Sequence, residues 1–413
     1  MNRFEASCGR PLIVLVKLAR FSNTNAYVEE QLRRQFPEAA LRVIDLKFVF
    51  QRPSWALLRG LAAALLSLAR DRAAGRRREE ALPDAVLQKL WAMPVIFAAM
   101  SRAARRIIER ERRPVWFTIQ TQSLWNNAVP GIANFVYTDS TVLANLYFKR
   151  KDFRFIRSGA WLECERGIYT EAAKTLVMSR HVERSLTELY GLDPQKVALT
   201  YVGANLRHPP AMARPAPGQS KTILFVGMDW QRKGGPELIE AFRRLPARHA
   251  DARLLIVGAA PALEVANCEV IGRVPAAQVA RYYERAAIFC MPTRIEPFGI
   301  AFIEAMMHAL AVAAPRHGAM LDYIREQETG VLFEPGNCED TARALTWLLD
   351  HPQERQAIAA RGLEAVRGRY TWDAVGRRMR TEILCVIGPA VPAPARARGT
   401  FGRGPRWLSD RAG

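Results

Sequence analysis

Two glutamates, Glu296 and Glu304, have the clearest chemical spacing in this chain, bracketing Pro297-Phe298-Gly299-Ile300. The apolar run Ala287-Ile288-Phe289-Cys290-Met291 before them reads as a buried strand, which Pro292 and Thr293 end. Gly299 then opens an amphipathic helix carrying Phe302, Ile303, Met306 and Leu310. A helix N-terminus presents unpaired backbone N–H groups and the positive end of its dipole, so it can hold a phosphate. Glycine at that point lets a ligand approach the backbone. Glu296 precedes the helix, and Glu304 lies inside it, eight residues after Glu296. Hydroxyl acceptors on both sides of a phosphate cradle suit the ribose, diphosphate and sugar of a nucleotide-sugar. The alternative is that both glutamates are solvated helix-end charges, since acidic residues gather near helix N-termini for dipole reasons alone.

A second phosphate site is read upstream. The strand Thr222-Ile223-Leu224-Phe225-Val226-Gly227 is followed by Met228-Asp229-Trp230-Gln231-Arg232-Lys233-Gly234-Gly235, and Pro236 starts a helix. Basic residues beside glycines at a strand–helix turn fit a phosphate. In the first half of the chain, Gln120-Thr121-Gln122 and Tyr137-Thr138-Asp139 end two strands. Ligands of open α/β sheets sit outside the carboxyl ends of strands. Asp139 is therefore a candidate cleft carboxylate, with an N-cap as its bland alternative. His317, in the turn Arg316-His317-Gly318, either reaches a phosphate or is a surface group.

The elements that must position these residues read as two α/β units. Leu12–Val16, a helix from Asn25 to Phe36 and a strand from Leu41 to Leu46 open the chain as βαβ. There is no G-x-G-x-x-G, which disfavours a nicotinamide or flavin enzyme. Strands follow at 115–120, 135–138, 174–178 and 197–202, and Ser179 caps a helix running to Leu189. The proline-rich stretch 208–218 is a linker. Further strands are read at 254–258, 270–274, 311–314 and 330–333, with helices at 278–283, 338–349 and 353–367. A last helix begins near Tyr370-Thr371-Trp372-Asp373 and passes Met379 and Leu384. The units are thus 1–212, 213–369, a terminal helix 370–388, and a basic tail 389–413 too poor in apolar residues to fold.

The chain has 413 residues and a net charge of +20, from 60 Lys and Arg against 40 Asp and Glu. That excess favours an anionic partner such as nucleic acid, an acidic lipid surface or a phosphorylated substrate. The six cysteines form no C-x-x-C pair and the six histidines no H-x3-H cluster, so no metal site or disulfide framework is expected and a reducing cytoplasm is. No secretory leader is visible. Residues 52–113 set the leucines Leu57, Leu58, Leu61, Leu65 and Leu68 beside Arg59, Arg70, Arg72, Arg76, Arg77 and Arg78. A second stripe there carries Trp91, Met93, Val95, Ile96 and Met100, then Arg102, Arg105, Arg106, Arg110, Arg112 and Arg113. None of this is long enough to span a bilayer, which takes about 20 residues. Either it rests on an anionic membrane surface, or the stripes pack on the domain core and the arginines are a solvated face.

Glu296-Pro297-Phe298-Gly299 with Glu304-Ala305, behind an α/β unit, resembles the E-x7-E signature of retaining GT-B glycosyltransferases of family 4, the group 1 glycosyl transferases. The resemblance covers nearly all of the second unit and touches the first only loosely, through Gln120–Gln122, Tyr137–Asp139 and Tyr201-Val202-Gly203-Ala204-Asn205. It implies two Rossmann-like domains facing across a cleft. The first is the acceptor side, the second binds the nucleotide-sugar, and the terminal helix crosses back to the first. It implies transfer of a sugar from a nucleotide diphosphate sugar to a saccharide or lipid-linked hydroxyl, in cell-surface polysaccharide or glycolipid synthesis, with retention and with neither metal nor cofactor. Glu304 would accept from ribose, and Glu296 would hold sugar hydroxyls. Lys233, with the N–H groups of Gly299 and Ile300, would stabilise the departing diphosphate. Asp139 would share the catalytic cleft, and Phe298, Arg232 and Gly227 would complete the donor site. Nucleic acid is not an expected partner, and the protein would work in the cytoplasm, peripheral to the inner face of the membrane. The chain differs from relatives at two points. Met228 stands where an arginine usually follows the first glycine, and Arg20-Phe21-Ser22-Asn23-Thr24 replaces a glycine-rich loop. These differences leave a second reading, an inactive GT-B-like module that binds an anionic membrane or nucleic acid.

Overall fold

The computed structural model describes residues 10–19, 21, 23–51, 55–73, 86, 90, 93–148, 158–206 and 220–389. The linker 208–218, the arginines Arg76, Arg77 and Arg78, Trp91, Cys8 and the tail from 390 onward lie outside them.

The first domain holds β1 (Leu12–Lys17), α1 (Thr24–Gln35), β2 (Ala40–Asp45), α2 (Phe48–Gln51), α3 (Trp55–Ala73), α4 (Pro94–Glu109), β3 (Val115–Thr121), β4 (Ala133–Thr138), α5 (Gly159–Glu171), β5 (Lys174–Val177), α6 (Arg180–Arg184) and β6 (Val197–Leu199). Its six strands are parallel in the order β2-β1-β3-β4-β5-β6. Leu12 to Val16 are buried without alternation, as a parallel strand covered on both faces requires. The strand order turns at β1 and β3, so the loops after them open one crevice.

The second domain holds β7 (Thr222–Gly227), α7 (Gly235–Arg243), β8 (Arg253–Gly258), β9 (Cys268–Gly272), α8 (Ala276–Tyr283), β10 (Ile288–Cys290), α9 (Ile300–Met307), β11 (Ala311–Pro315), β12 (Val331–Phe333), α10 (Cys338–Asp350), α11 (Pro352–Arg367) and α12 (Trp372–Ile387). Its parallel sheet runs β12-β11-β10-β7-β8-β9, the doubly wound order whose switch point lies between β7 and β10. The expected α/β fold of two Rossmann-like domains is the one present. Leu310, read as part of the glutamate-bearing helix, instead follows its end, buried just before β11.

Helix α12 returns to the first domain. The Thr371 hydroxyl caps it by accepting from Ala374 N–H. Trp372 stacks on Tyr27 with ring centroids 5.1 Å apart. Gln31 donates to Asp373 at 3.1 Å, Arg380 pairs with Glu38 at 2.7 Å, and Lys174 pairs with Glu382 at 2.8 Å. At the crossover, Ala204 N–H donates to Tyr370 O, and Tyr370 packs against Tyr201, Phe298 and Tyr323.

The two stripes within 52–113 have different fates. On α4, Ile96, Met100, Ala104 and Ile108 are buried, so that stripe is core. Helix α3 lays Gly60 and Ala64 against this layer and turns Trp55, Leu58, Leu65 and Leu66 to solvent.

A Cβ placed on Gly203 would lie 2.5 Å from Trp372 Cγ. Gly203→Ala is therefore expected to push α12 off its seat and destabilise the protein by about 1–3 kcal/mol. Thermal unfolding checks this, and an unchanged Tm would contradict the packing described.

Candidate functional site

The site of the second domain lies at its switch point. The loop after β7 carries Lys233 and ends at Gly234, whose φ is +76°; a Cβ there would sit 1.8 Å from the Pro292 carbonyl oxygen. The β7 and β10 loops are thus pressed together at backbone contact, which only glycine permits. Gly299, φ +85°, performs the αL turn into α9, and its missing side chain leaves room for Tyr323 and Phe302.

Glu296 is held at this junction. One carboxylate oxygen accepts from Gly299 N–H at 3.2 Å, and the other pairs with the Lys233 ammonium. Burial opposes its ionisation, but the Lys233 and Arg232 charges, with the donors from Lys233 and Gly299, outweigh burial and hold its pKa below the ordinary carboxylate value. Glu296 is therefore buried and partnered rather than a solvated helix-end charge. Arg232 donates to Ile295 O at 3.0 Å and pairs with Asp229 at 3.0 Å. Gly227 lies beneath the Lys233 stem, where a Cβ would meet Lys233 Cγ at 3.1 Å.

Glu304 accepts from Tyr283 O–H at 3.0 Å and from Asn205 N–H at 3.2 Å. Its burial raises the carboxyl to about 7, and those two hydrogen bonds only partly offset the rise. Asn205 belongs to the end of the first domain, so this carboxylate already bridges the two domains.

Across the cleft, Asp139 ends β4. Burial lifts its carboxyl to about 6; the Glu296 charge adds to the rise and Arg232 opposes it. It caps no helix, because the helical turn Leu143–Tyr147 that follows starts at Val142. Two adjoining cavities share Phe21, Asp139, Lys233 and Glu296 in their walls. One, of about 220 Å³, runs along Phe298, Gly299, Ile300 and Glu304. The other, of about 390 Å³, opens on Gln122, Ser123, Thr141, Asn145, Trp161 and Arg232.

The structure thus gathers Glu296, Lys233, Asp139, Glu304, Gly299, Ile300 and Phe298 around one cavity, with Arg232 on its neighbour and Gly227 behind Lys233. His317 is not the surface group that a turn histidine suggests. It is buried, its Nε2 donates to Thr293 O at 2.9 Å, and burial lowers its pKa below the ordinary value. Sequence reasoning missed Tyr283, whose helical position looks like core, and Phe21, whose loop lacks the usual glycines. Among the described residues no group of His, Cys, Asp and Glu could hold a metal ion, and the described cysteines are free.

Residues 212–364 match the family Glycosyl transferases group 1. D-inositol 3-phosphate glycosyltransferase of Segniliparus rotundus is 28% identical over 247 residues, 54% of this chain and 54% of that protein. Phosphatidyl-myo-inositol mannosyltransferase of Mycobacterium tuberculosis is 34% identical over 186 residues, 42% of this chain and 49% of that protein. The chain spans about half the length of the curated relatives it matches. The fold is that of sucrose-phosphate synthase from Thermosynechococcus elongatus, with TM-score 0.67 and 18% identity over 92% of this chain and 100% of that one. It is also that of Anabaena HepE in complex with UDP, with TM-score 0.59 and 12% identity over 91% of this chain and 100% of that one. The architecture is the GT-B fold, and the match to group 1 glycosyl transferases falls on its second domain.

Asp139 gives a pH-dependent signature. Its folded pKa of about 6 exceeds the ordinary 3.8, so the folded state keeps a proton that the unfolded state releases. The stability this lends is full below pH ~4 and is lost as pH rises through ~6. Asp139→Asn should raise Tm at pH 7.5 by about 2–5 °C, with the gain vanishing near pH 4. Paired melting curves at the two pH values check this, and an equal gain at both would remove the assigned burial.

Proposed function

We propose that this chain is a retaining glycosyltransferase that moves a sugar from a nucleotide diphosphate sugar to an acceptor hydroxyl. The observation that carries the reading is the arrangement of Lys233, Glu296 and the Gly299-capped helix N-terminus at the switch point, with Asp139 opposite. The donor lies in the cavity between Glu304 and Gly299. Its ribose hydroxyls donate to Glu304, and its diphosphate takes Lys233 and the N–H groups of Gly299 and Ile300. Glu296, released from those partners, accepts from the donor sugar. The acceptor oxygen enters from the Gln122–Asn145 side and bonds to the anomeric carbon on the face that the phosphate leaves. The anomeric C–O bond breaks toward the phosphate, and the acceptor proton passes to the departing phosphate oxygen. Positive charge fixed before reaction stabilises that oxygen, and no enzyme nucleophile is needed. With that charge supplied by Lys233, Arg232 and α9, the reaction is metal-independent.

The inactive-module reading is not favoured, because Arg232 lies beside Lys233 and supplies the second cation that Met228 does not. Two relatives carry inositol acceptors in their names, and a glycolipid or saccharide hydroxyl fits a cavity lined by side-chain amides and hydroxyls. The donor panel is UDP-, GDP- and ADP-sugars, with release of nucleoside diphosphate as the readout. One donor should turn over, undiminished by EDTA. Glu304→Ala should weaken that donor at least tenfold, as the loss of a hydrogen bond to a charged group costs about 1.5–3 kcal/mol. Turnover of no donor, or an unaltered Glu304→Ala, overturns the assignment.

The reading extends to a place of work at the inner face of the membrane. Helix α3 exposes Trp55 at 88%, Leu58 at 55%, Leu65 at 51% and Leu66 at 61%, with Arg59 and Arg70 exposed beside them. No described helix is long and apolar enough to cross a membrane. An apolar stripe edged by arginines instead lies in the interface plane. Each engaged basic residue contributes about 1 kcal/mol at an anionic surface. Sedimentation with phosphatidylserine vesicles should fall as salt rises, and Trp55→Ser with Leu65→Ser should weaken it without changing donor affinity. Failure to bind at low salt would leave the acceptor in solution.

A further inference from the structure

Tyr283 stands outside every role assigned so far. It ends α8, comes from a different segment than the two glutamates, and is 1% exposed. Its hydroxyl proton is directed to Glu304 Oε2 at 3.0 Å, with Ala301 O a weaker acceptor at 3.4 Å. The ring is fixed from the other side. His308 stacks on it with centroids 4.9 Å apart and planes 19° from parallel, and Phe289 lies 6.1 Å away. His308 is itself tied back to the same turn, its Nδ1 donating to Glu304 O at 2.8 Å. Burial lowers its pKa, so the ring stays neutral and keeps that single tautomer. The clamp therefore closes on one residue, gripping its side chain through Tyr283 and its carbonyl through His308. The other carboxylate oxygen faces Asn205 N–H, within the walls of the donor cavity.

We infer that Tyr283 is a positioning residue for donor recognition, orienting Glu304 so that its free lone pairs meet the ribose hydroxyls of a nucleoside diphosphate. This rests on the reading of Glu304 as the ribose acceptor. The physical reason is twofold. A glutamate side chain has three rotatable bonds, and a hydrogen bond from a rigid, stacked phenol removes most of that freedom before the donor arrives. The same hydrogen bond also pulls the Glu304 pKa down against the rise that desolvation causes, and an ionised acceptor binds a hydroxyl more strongly than a protonated one. Among the described residues, Tyr283 supplies one of its two donors.

The test separates orientation of Glu304 from mere packing. Calorimetry of the full chain with UDP, GDP and ADP identifies the tightest binder, which is then compared with its 2′,3′-dideoxy counterpart. Wild type should prefer the ribonucleotide. Tyr283→Phe should bind that ribonucleotide about three- to tenfold more weakly and the dideoxy form as wild type does. The donor KM should rise with kcat nearly unchanged. Tyr283→Met, which fills the space without a donor, should share the loss and serves if the Phe variant is unstable. Equal weakening toward both nucleotides would make Tyr283 a packing residue and overturn the inference, as would no weakening at all. A wild type that fails to distinguish the two nucleotides would instead remove the ribose role of Glu304, and with it the basis for Tyr283.

Discussion

A buried carboxylate is tolerated only where charges and N–H donors surround it, and Glu296 sets that requirement for the whole second domain. Its two partners come from different places, Lys233 from the β7 loop and Gly299 N–H from the start of α9. To bring both within reach, the β7 and β10 loops must meet at backbone contact, which is why Gly234 abuts Pro292. The doubly wound order makes those two strands neighbours at the switch point, so topology delivers what the carboxylate needs. In the structure the pair is self-satisfied. In the proposed donor complex a diphosphate would offer Lys233 and the helix terminus a stronger anion, and the freed carboxylate would then have capacity for hydroxyls.

The same site is wired to the relation between the domains. Glu304 accepts from Asn205, and Asp322 accepts from Arg180 N–H at 2.8 Å at the start of α6. Phe298, beside Glu296, packs on Tyr370, the residue from which α12 departs for the first domain. A ligand that draws on Glu304 must therefore share it with, or take it from, Asn205 at the end of the first domain. Both carboxylates at this seam, Glu304 and Asp322, have pKa values raised by burial, to about 7 and about 6.

The sheets were legible because parallel strands buried on both faces read as unbroken apolar runs, as in Leu12–Val16 and Ile288–Cys290. Gly299, Lys233 and the two glutamates were legible because phosphate chemistry ties glycine, cation and helix start to short spacings. The burial of Glu296 was not, since its partner Lys233 lies across a loop contact that no local pattern encodes. The burial of His317 was hidden for the same reason, and it excludes the surface alternative: a turn is usually exposed, but this one lies under Phe148 from the opposite domain. The two apolar stripes of 52–113 looked alike, and only packing distinguishes the buried side of α4 from the outer side of α3.

The β1–α1 loop shows where composition and geometry part. Ala19, Phe21 and Asn23 all take positive φ, at 48°, 43° and 65°, which glycine would adopt freely. Each costs an L-residue about 1–2 kcal/mol. The conformation is held by Asn25, whose side chain donates to Leu18 O and Ala19 O and accepts from Thr121. Asp45 accepts from Ala19 N–H as well. The backbone path associated with glycine is thus kept without glycine, and the strain places the Phe21 ring in the wall of both cavities. A glycine-rich loop would leave that space open to the ligand. Here an aromatic residue stands where the two cavities adjoin.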